Sequence, residues 1–320
     1  MKFSVVITTY NRLTLLQRAI DSALNQTIPC EVIVADDCSS DNTQDYVNKL
    51  KSKLGELGSR LVYHCNEVNK GHAATVNAGV NKASGDWIKF LDDDDYLSLN
   101  CLEEMVRAIA LRKEAVICSC IAAQVNEQEV ELSRTPQLGS GLAFYIPQSD
   151  IHYGMLLELL PLGTPVQVAC RRDAFLKSGG WDSKLDANCD DIDSWIRITQ
   201  YGDALILNQC LAYRTIWTGA YNQKFSLLQR LDTNMLMKEK IYALVDKQHQ
   251  KNIPALQDIK NYLKLHWAIV ALKQRKINSF LNMVDAKVLS LKAWQLLLSA
   301  AFARRFNLSD SHIRKFVLIE

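Results

Sequence analysis

DWIKFLDDDDYL, residues 86–97, joins an apolar, strand-like run, Trp87 to Leu91, directly to four consecutive aspartates, Asp92 to Asp95. In an open α/β sheet, ligands gather at the carboxyl ends of the strands. Carboxylates packed this closely repel one another and raise each other's pKa unless a cation sits among them. The simplest partner is a hard divalent metal, held by one or two carboxylates plus the phosphates of a substrate. The stretch therefore predicts a metal-assisted site for a phosphorylated ligand. The competing reading is a solvated acidic turn that caps the next helix.

The flanking sequence repeats the same grammar. Phe3 to Ile7 is a β-rich run, followed by Leu13, Leu16, Ala19, Ile20, Ala23 and Leu24 at helical spacing. Glu31 to Ala35 reads as a second strand ending in Asp36-Asp37, and residues 39–43 (SSDNT) cap a helix towards Lys53. Leu61 to His64, Trp87 to Leu91 and Ala115 to Cys120 follow as strands, with helices at Ala73–Ala83 and Leu99–Arg112 between them. Strands alternating with helices imply a mostly parallel, doubly wound α/β sheet with right-handed crossovers. From about Glu131 to Pro165 the periodicity fades among Pro136, Gly139, Gly141, Pro147, Gly154 and Pro161. Long irregular stretches are often functional, and Phe144, Tyr145 and Tyr153 favour a lid here. Order resumes with a strand at Val166–Cys170, helices at Arg172–Ser178 and Asp190–Tyr201, and edge strands from Leu205 to Tyr213. Beyond Lys224 the chain reads as four or five helices broken near Pro254, Asn278 and Asn307.

The 320 residues carry a net charge of +2, which conceals an asymmetry. Residues 1–223 hold 20 Lys and Arg against 28 Asp and Glu, whereas residues 224–320 hold 17 against 7. The acidic part contains the aspartate cluster, and the basic part is a different kind of surface. Nine cysteines include no CxxC pair, and no signal peptide precedes the first strand, so the chain reads as cytosolic with reduced thiols. No run approaches the roughly 20 apolar residues that span a bilayer.

SVVITTYNR (4–12), VIVADDCSSDNT (32–43), NKGHAATVNAGVNKASGDWIKFLDDDD (69–95), GGWD (179–182) and CDDIDSWIR (189–197) together resemble the family 2 glycosyltransferases of the GT-A fold. The resemblance covers roughly residues 3–215. It implies a catalytic domain at 1–223, with a nucleotide-binding half to about residue 120 and an acceptor half from about 121, while charge and helical patterning make 224–320 a basic helical region. Thr8 and Tyr10 are then expected to contact the base and ribose of a nucleoside-diphosphate sugar, with Asp37 accepting from a pyrimidine N–H. Near a helix N-terminus Asp37 is also simply a favourable turn carboxylate.

The family's Asp-x-Asp maps to Asp92-Asp93-Asp94, which assigns the metal to Asp94 and a ribose or outer metal contact to Asp92. Asp93 fills the variable position, and Asp95 either orients ligands or caps the next helix. The implied cofactor is Mg²⁺ or Mn²⁺, which bridges the diphosphate and neutralises the leaving group. Asn77 matches the segment that packs beneath the donor; the Arg that many relatives carry just before it is Val76 here. Diphosphate contacts then fall to Lys70, His72 or elsewhere, although His72 alone reads as a surface or packing residue.

The resemblance makes Asp191, second of the pair Asp190-Asp191, the general base of an inverting transfer. Acids in a first helical turn also complement the helix dipole, and the two roles are compatible. Trp181, Asp182, Asp190 and Trp217 fall on the acceptor side; Trp181 either stacks on a sugar or packs under its loop.

The implied reaction moves a sugar from a UDP-sugar, or less readily a dTDP-sugar, to a glycan or lipid-linked acceptor. A non-catalytic nucleotide- or glycan-binding protein is one rival. A sugar-phosphate nucleotidyltransferase is the other, and the TTYNR segment after the first strand lacks the Gly-rich loop it needs. Trp267–Leu272 reads as buried, and Trp294–Phe306 as an amphipathic basic helix suited to packing, to self-association or to the inner face of an anionic membrane. The basic residues follow no nucleic-acid-binding motif.

Overall fold

The computed structural model describes residues 1–185, 189–217, 225–285, 288–306 and 317–318. Two compact units emerge, one comprising Met1–Gln148, Pro161–Thr218 and Val317–Glu320, the other Ser149–Leu160 and Gly219–Phe316. The short segment Ser149–Leu160 groups with the second unit, and the C-terminal Val317–Glu320 with the first.

The first unit is a mixed sheet flanked by helices. Its first half runs β1 (Phe3–Thr9), α1 (Leu13–Leu24), β2 (Glu31–Asp36), α2 (Thr43–Lys53), β3 (Leu61–Cys65), α3 (His72–Lys82) and β4 (Trp87–Asp92). After these come β5 (Tyr96–Leu97), α4 (Cys101–Leu111), β6 (Ala115–Val125), β7 (Glu131–Arg134) and β8 (Ala143–Ile146). The chain then leaves through α5 (Gln148–Leu156) and returns with β9 (Val168–Arg171), α6 (Arg172–Lys177), α7 (Asp190–Ile198) and β10 (Asp203–Thr215). With β11 (Val317–Leu318) the strand order is β11-β8-β10-β6-β9-β4-β1-β2-β3, β5 pairing with β10 and β7 with β6. The strands β3, β2, β1 and β4 are mutually parallel, as are β6 and β10, and β9 lies antiparallel between β4 and β6.

The central strands are apolar throughout because both faces are covered; every residue of β1 is buried. On α1, Leu16, Ala19, Ile20 and Ala23 form the stripe that meets the sheet. Lys89 interrupts the apolar run of β4 yet is fully buried. Its Nζ donates to the carbonyls of Val166, Phe90 and Val168, the last two at 3.3 Å, which ties β4 to the segment entering β9. Burial lowers its pKa.

Two expectations are corrected. Leu205–Tyr213 is no edge: β10 lies between β6 and β8, and its run Ala204–Leu207 is buried continuously. Residues 131–165 are no structureless lid either. Their Gly and Pro residues punctuate β7, β8 and α5, and Phe144 and Tyr145 belong to the sheet, where they pair with Ile206 and Leu205.

The second unit adds α8 (Leu227–Leu244), α9 (Leu256–Lys273), α10 (Ile277–Met283) and α11 (Leu291–Phe306). Leu227, Leu231, Tyr262, Leu263, Ala268, Ala271 and Met283 form its core. Within Trp267–Leu272 only Ala268 and Ala271 are buried, and Leu272 is 48% exposed, so that stretch is amphipathic rather than enclosed. Exposed Leu291, Trp294 and Leu298 follow helical spacing on α11, while the side chains of Arg304 and Arg305 lie outside the described residues. No helix among the described residues is long and apolar enough to cross a membrane.

The helix α3 lies directly against the sheet, and Gly79 permits that approach. A Cβ there would lie 2.5 Å from Val6 Cγ1 and 3.1 Å from Ala35 Cβ. Gly79→Val should therefore lower stability by about 1–3 kcal/mol through overpacking, read as a reduced urea midpoint. An unchanged midpoint would mean that α3 is not held tightly against β1 and β2.

Candidate functional site

The parallel register places Thr8 beside Asp92, and the ends of β1 and β4 together hold the acidic cluster. Thr8 Oγ1 donates to Asp92 Oδ1 at 3.1 Å, and Thr9 Oγ1 to Asp93 Oδ2 at 2.8 Å. Arg12 Nη1 reaches Asp93 Oδ1 at 3.3 Å and Asp94 Oδ2 at 3.2 Å. The same Asp94 oxygen accepts from Trp217 Nε1 at 2.9 Å, and the Arg12 guanidinium lies over the Trp217 ring, 4.8 Å from its centroid. Asp95 turns away and accepts the backbone N–H of Thr215 at 2.8 Å, so it anchors β10 rather than capping α4.

These surroundings give the four carboxyl groups different characters. Burial and the charge of Asp94 push Asp93 up to about 7. Burial and neighbouring aspartates also raise Asp94, and hold Asp95 well above the ordinary carboxylate value. Burial works in the same direction on Asp92, but the adjacent His72 overrides it and the group falls below its ordinary value.

At the end of β2, Asp37 is buried and already engaged. Its Oδ1 accepts from Asn66 Nδ2 and from the backbone N–H of Lys70, and its Oδ2 from that of Gly71, each at 2.8 Å. The carboxylate thereby shapes the loop that begins α3, and Oδ2 retains a lone pair. Tyr10, at the end of β1, is 47% exposed with its ring open to a ligand.

The helix α3 carries two residues towards the other half of the domain. Asn77 Nδ2 donates to the Trp181 carbonyl at 2.9 Å, and Asn77 Oδ1 accepts the Trp181 N–H at 2.8 Å. This double bond to the main chain fixes the turn that begins with Gly179 and Gly180, both at positive φ. Trp181 itself is 2% exposed and packs among His72, Phe90 and Trp195, beneath its loop. Asp182 accepts from Lys184 N at 3.0 Å within its own turn.

His72 opens α3 and bridges the two halves. Its Nε2 lies 3.0 Å from Asp92 Oδ1, and its Nδ1 lies 3.3 Å from Asp190 Oδ2. Burial alone would lower its pKa, but the two carboxylates outweigh that and hold it well above the ordinary value. Asp190 Oδ1 accepts the N–H of Asp191, and Asp191 Oδ1 accepts that of Ile192. Asp191 is half-buried in the first turn of α7, and burial together with the charge of Asp190 pushes its carboxyl up to about 7.

The structure thus joins Thr8, Asp92, Asp190 and Asp191 through His72, and Asp94 with Trp217 beside Arg12, while Asp37, Asn77 and Trp181 serve the framework. Sequence reasoning sets His72 aside and passes over Arg12 and Arg18. Arg18 Nη2 donates to the Asp94 carbonyl at 2.6 Å and to Thr215 Oγ1 at 2.7 Å. The only signal is position: Arg12 and His72 each fall within a quoted motif, and fold geometry decides where such side chains point. A cavity of about 180 Å³ lined by Leu15, Arg18, Asp94, Glu127, Thr215 and Trp217 adjoins the cluster.

Among the described residues, no three His, Cys, Asp or Glu side chains converge as a closed metal site. The donor set still suits a hard divalent ion that shares its ligands with a diphosphate. Oδ1 of Asp92 and Oδ2 of Asp94 take the side-chain donors, and the other oxygen of each has none among the described side chains.

The family model for glycosyl transferase family 2 matches residues 4–179, more than half of the chain, and the chain belongs to that family. It is 36% identical over 134 residues to GalNAc(5)-diNAcBac-PP-undecaprenol beta-1,3-glucosyltransferase of Campylobacter jejuni, a match covering 41% of this chain and 42% of that protein. It is 35% identical over 108 residues to the poly(ribitol-phosphate) beta-N-acetylglucosaminyltransferase TarS of Staphylococcus aureus, covering 32% of this chain and 18% of TarS. The chain therefore spans less than half the length of these relatives. Among solved structures, S. aureus TarS 1–349 in complex with UDP-GlcNAc superposes with a TM-score of 0.67 at 19% identity, over 98% of this chain and 90% of that one. The mannosyltransferase PcManGT of Pyrobaculum calidifontis, in complex with GDP-Man and Mn²⁺, gives 0.58 at 18% identity, over 98% and 84%. At such identities the likeness is one of fold, and the fold is GT-A-like.

Asp93 offers a test of the cluster's electrostatics. Its carboxyl titrates near 7 when folded, against about 3.9 in an unfolded chain. The folded state thus binds the extra proton, so this contribution is complete below about pH 4 and fades as pH rises to about 7. Asp93→Asn should flatten that decline in metal-free urea unfolding. An identical pH dependence in the variant would show that Asp93 is ionised throughout.

Proposed function

We propose that this member of glycosyl transferase family 2 is an inverting, metal-assisted transferase that moves a sugar from a UDP-sugar to a hydroxyl of a glycan or lipid-linked saccharide. The observation that carries the proposal is the link through His72 from Asp92, at the end of β4 and two residues before Asp94, to Asp190, next to Asp191 at the start of α7. A UDP donor is supported by the placement of Asp37 and Tyr10 just beyond the ends of β2 and β1, and by the similar fold of TarS, which was crystallised with UDP-GlcNAc. A lipid-linked acceptor is supported by the Campylobacter relative, whose name specifies an undecaprenyl diphosphate substrate.

Catalysis is assigned to residues 1–223, and residues 224–320 to an accessory helical region. Thr8 and Tyr10 flank the base and ribose, Asp37 orients the base edge, and Asp92 faces the ribose and outer metal shell. Asp94 would hold Mn²⁺ or Mg²⁺, with Asp92 beside it. The metal supplies Lewis-acid neutralisation of charge on the diphosphate.

Asp191, pushed up to about 7, removes the proton of the acceptor hydroxyl as its oxygen bonds to the anomeric carbon. The bond from that carbon to the β-phosphate oxygen breaks on the opposite face, and the electron pair leaves with UDP. Trp181, Asp182 and Asp190 shape the acceptor side, with Trp217 at its margin. Nine free cysteines fit a reducing, cytoplasmic setting. The basic helices provide a surface for peripheral contact with the inner membrane face or for self-association.

Calorimetric titration of UDP, dTDP and GDP, with and without Mn²⁺, tests the donor site. UDP should bind best, with a Mn²⁺-dependent increment that Asp94→Asn removes. Failure of all three to bind the folded protein would sink the reading.

Asp191 is tested through catalysis. Below about pH 7 it is protonated and cannot accept, so the rate should fall about tenfold per unit of further acidification. Asp191→Asn should keep UDP binding and lose about 10²–10⁴-fold in transfer. Retained nucleotide binding with no transfer to any donor–acceptor pair by the unmodified protein would favour a binding module instead.

A further inference from the structure

We propose that His72 is a positioning residue: a two-handed clamp that couples the donor-side Asp92 to the acceptor-side Asp190 and so aligns the general base Asp191. The assignment rests on the glycosyltransferase reading above and adds a residue that the reading does not require.

Geometry carries it. His72 places Nε2 at 3.0 Å from Asp92 Oδ1 and Nδ1 at 3.3 Å from Asp190 Oδ2. Each ring nitrogen faces a carboxylate oxygen, and an oxygen with no proton can only accept. Each nitrogen is thus within hydrogen-bond reach of one carboxylate, so a single ring spans the donor-side and acceptor-side acids.

The location is unfavourable on local grounds. His72 is the first residue of α3, following Gly71 at φ +87°. A basic side chain there faces the positive end of the helix dipole. Helix stability would place an acid or a small polar residue at that point, so the histidine's place is explained by the carboxylates it joins.

The ring is also fixed in direction. Trp181 packs against it edge-on, with centroids 5.3 Å apart and planes at 80°. Trp181 is held in turn by the two main-chain bonds from Asn77, one and a half turns along the same helix. Through His72 the position of Asp92 reaches Asp190 Oδ2, and Asp190 Oδ1 binds the N–H of Asp191. The other charges facing this group lie on the same network: Asp92 at the end of β4, and Asp190 and Asp191 at the start of α7.

The test is a double-mutant cycle on His72→Ala, Asp190→Asn and the two combined. It is read as UDP release from UDP-glucose and UDP-GlcNAc with Mn²⁺, using water or p-nitrophenyl glycosides as acceptors. Misplacing the base should cost each single variant about 10²-fold in kcat, with the KM for donor and the affinity for UDP near those of the unmodified protein. The double variant should be no slower than the slower single one, because both remove the same link.

Multiplying effects would show that the residues act independently and would overturn the clamp. So would a His72→Ala variant that loses UDP affinity in proportion to its rate, since His72 would then be a donor ligand. Amide hydrogen exchange provides a reading free of activity. His72→Ala should speed exchange at the first turn of α7 and leave β1 and β2 unchanged. Unaltered exchange at α7 would overturn the clamp even in an active enzyme. A lack of turnover by the unmodified protein would count against the glycosyltransferase reading and leave the exchange result to decide the clamp.

Discussion

Six aspartates, at positions 92–95 and 190–191, are brought to one side of a sheet and largely removed from water, and the rest of the domain is arranged around that constraint. An unpaired buried carboxylate costs several kcal/mol, so each must be bonded, neutralised by a cation, or protonated. The structure uses all three means. Arg12 serves Asp93 and Asp94, His72 serves Asp92 and Asp190, and Asp95 takes a backbone N–H from β10. Asp93 and Asp191 are left with carboxyl groups near 7. Arg12 and His72 are shared among four of these carboxylates, and one oxygen each of Asp92 and Asp94 still faces no donor among the described side chains.

Much of this is legible in the sequence because the signals are local. A fully buried parallel strand must be apolar, and a run such as Trp87–Leu91 ending in aspartates places those aspartates at the ligand-binding edge. The pair Asp190-Asp191 is likewise visible as the acidic first turn of an amphipathic helix. What stays hidden is non-local. The strand β10 carries polar interruptions, Asn208 and Gln209, which fall at a register shift against β6, yet β8 pairs with its other side and it is no edge. Phe144 and Tyr145 suggest a lid among prolines and glycines but pair in the sheet. His72 gives no sequence signal beyond its place in the 69–95 motif, since its link to Asp190 joins positions 118 residues apart.

The helix α3 shows how far these parts depend on one another. Asp37, at the end of β2, binds the N–H groups of Lys70 and Gly71 and so fixes where the helix starts. Gly79 lets the helix lie against Val6 and Ala35, and Asn77 then grips the main chain of Trp181. Asp37, expected to read a base, therefore also supports the loop from which His72 projects. A substitution at Asp37 would therefore loosen the start of α3, and with it the setting of His72.

Asp92 and Asp191 illustrate why one imidazolium between the halves has unequal effects. Asp92 lies against His72 and is driven below the ordinary carboxylate value, so it stays ionised and suited to a cation or a ribose hydroxyl. Asp191 is one residue beyond the carboxylate that His72 binds. It feels burial and the charge of Asp190 more than it feels the cation, and it rises to about 7. Two carboxylates across one site are thus pushed in opposite directions, the pattern by which a single fold separates an electrostatic role from a proton-transfer role. A cation placed directly against Asp191 would have abolished that difference, and a site with no cation would have left Asp92 and Asp190 to repel each other. Joining Asp92 to Asp190, rather than to Asp191, satisfies both requirements with one side chain.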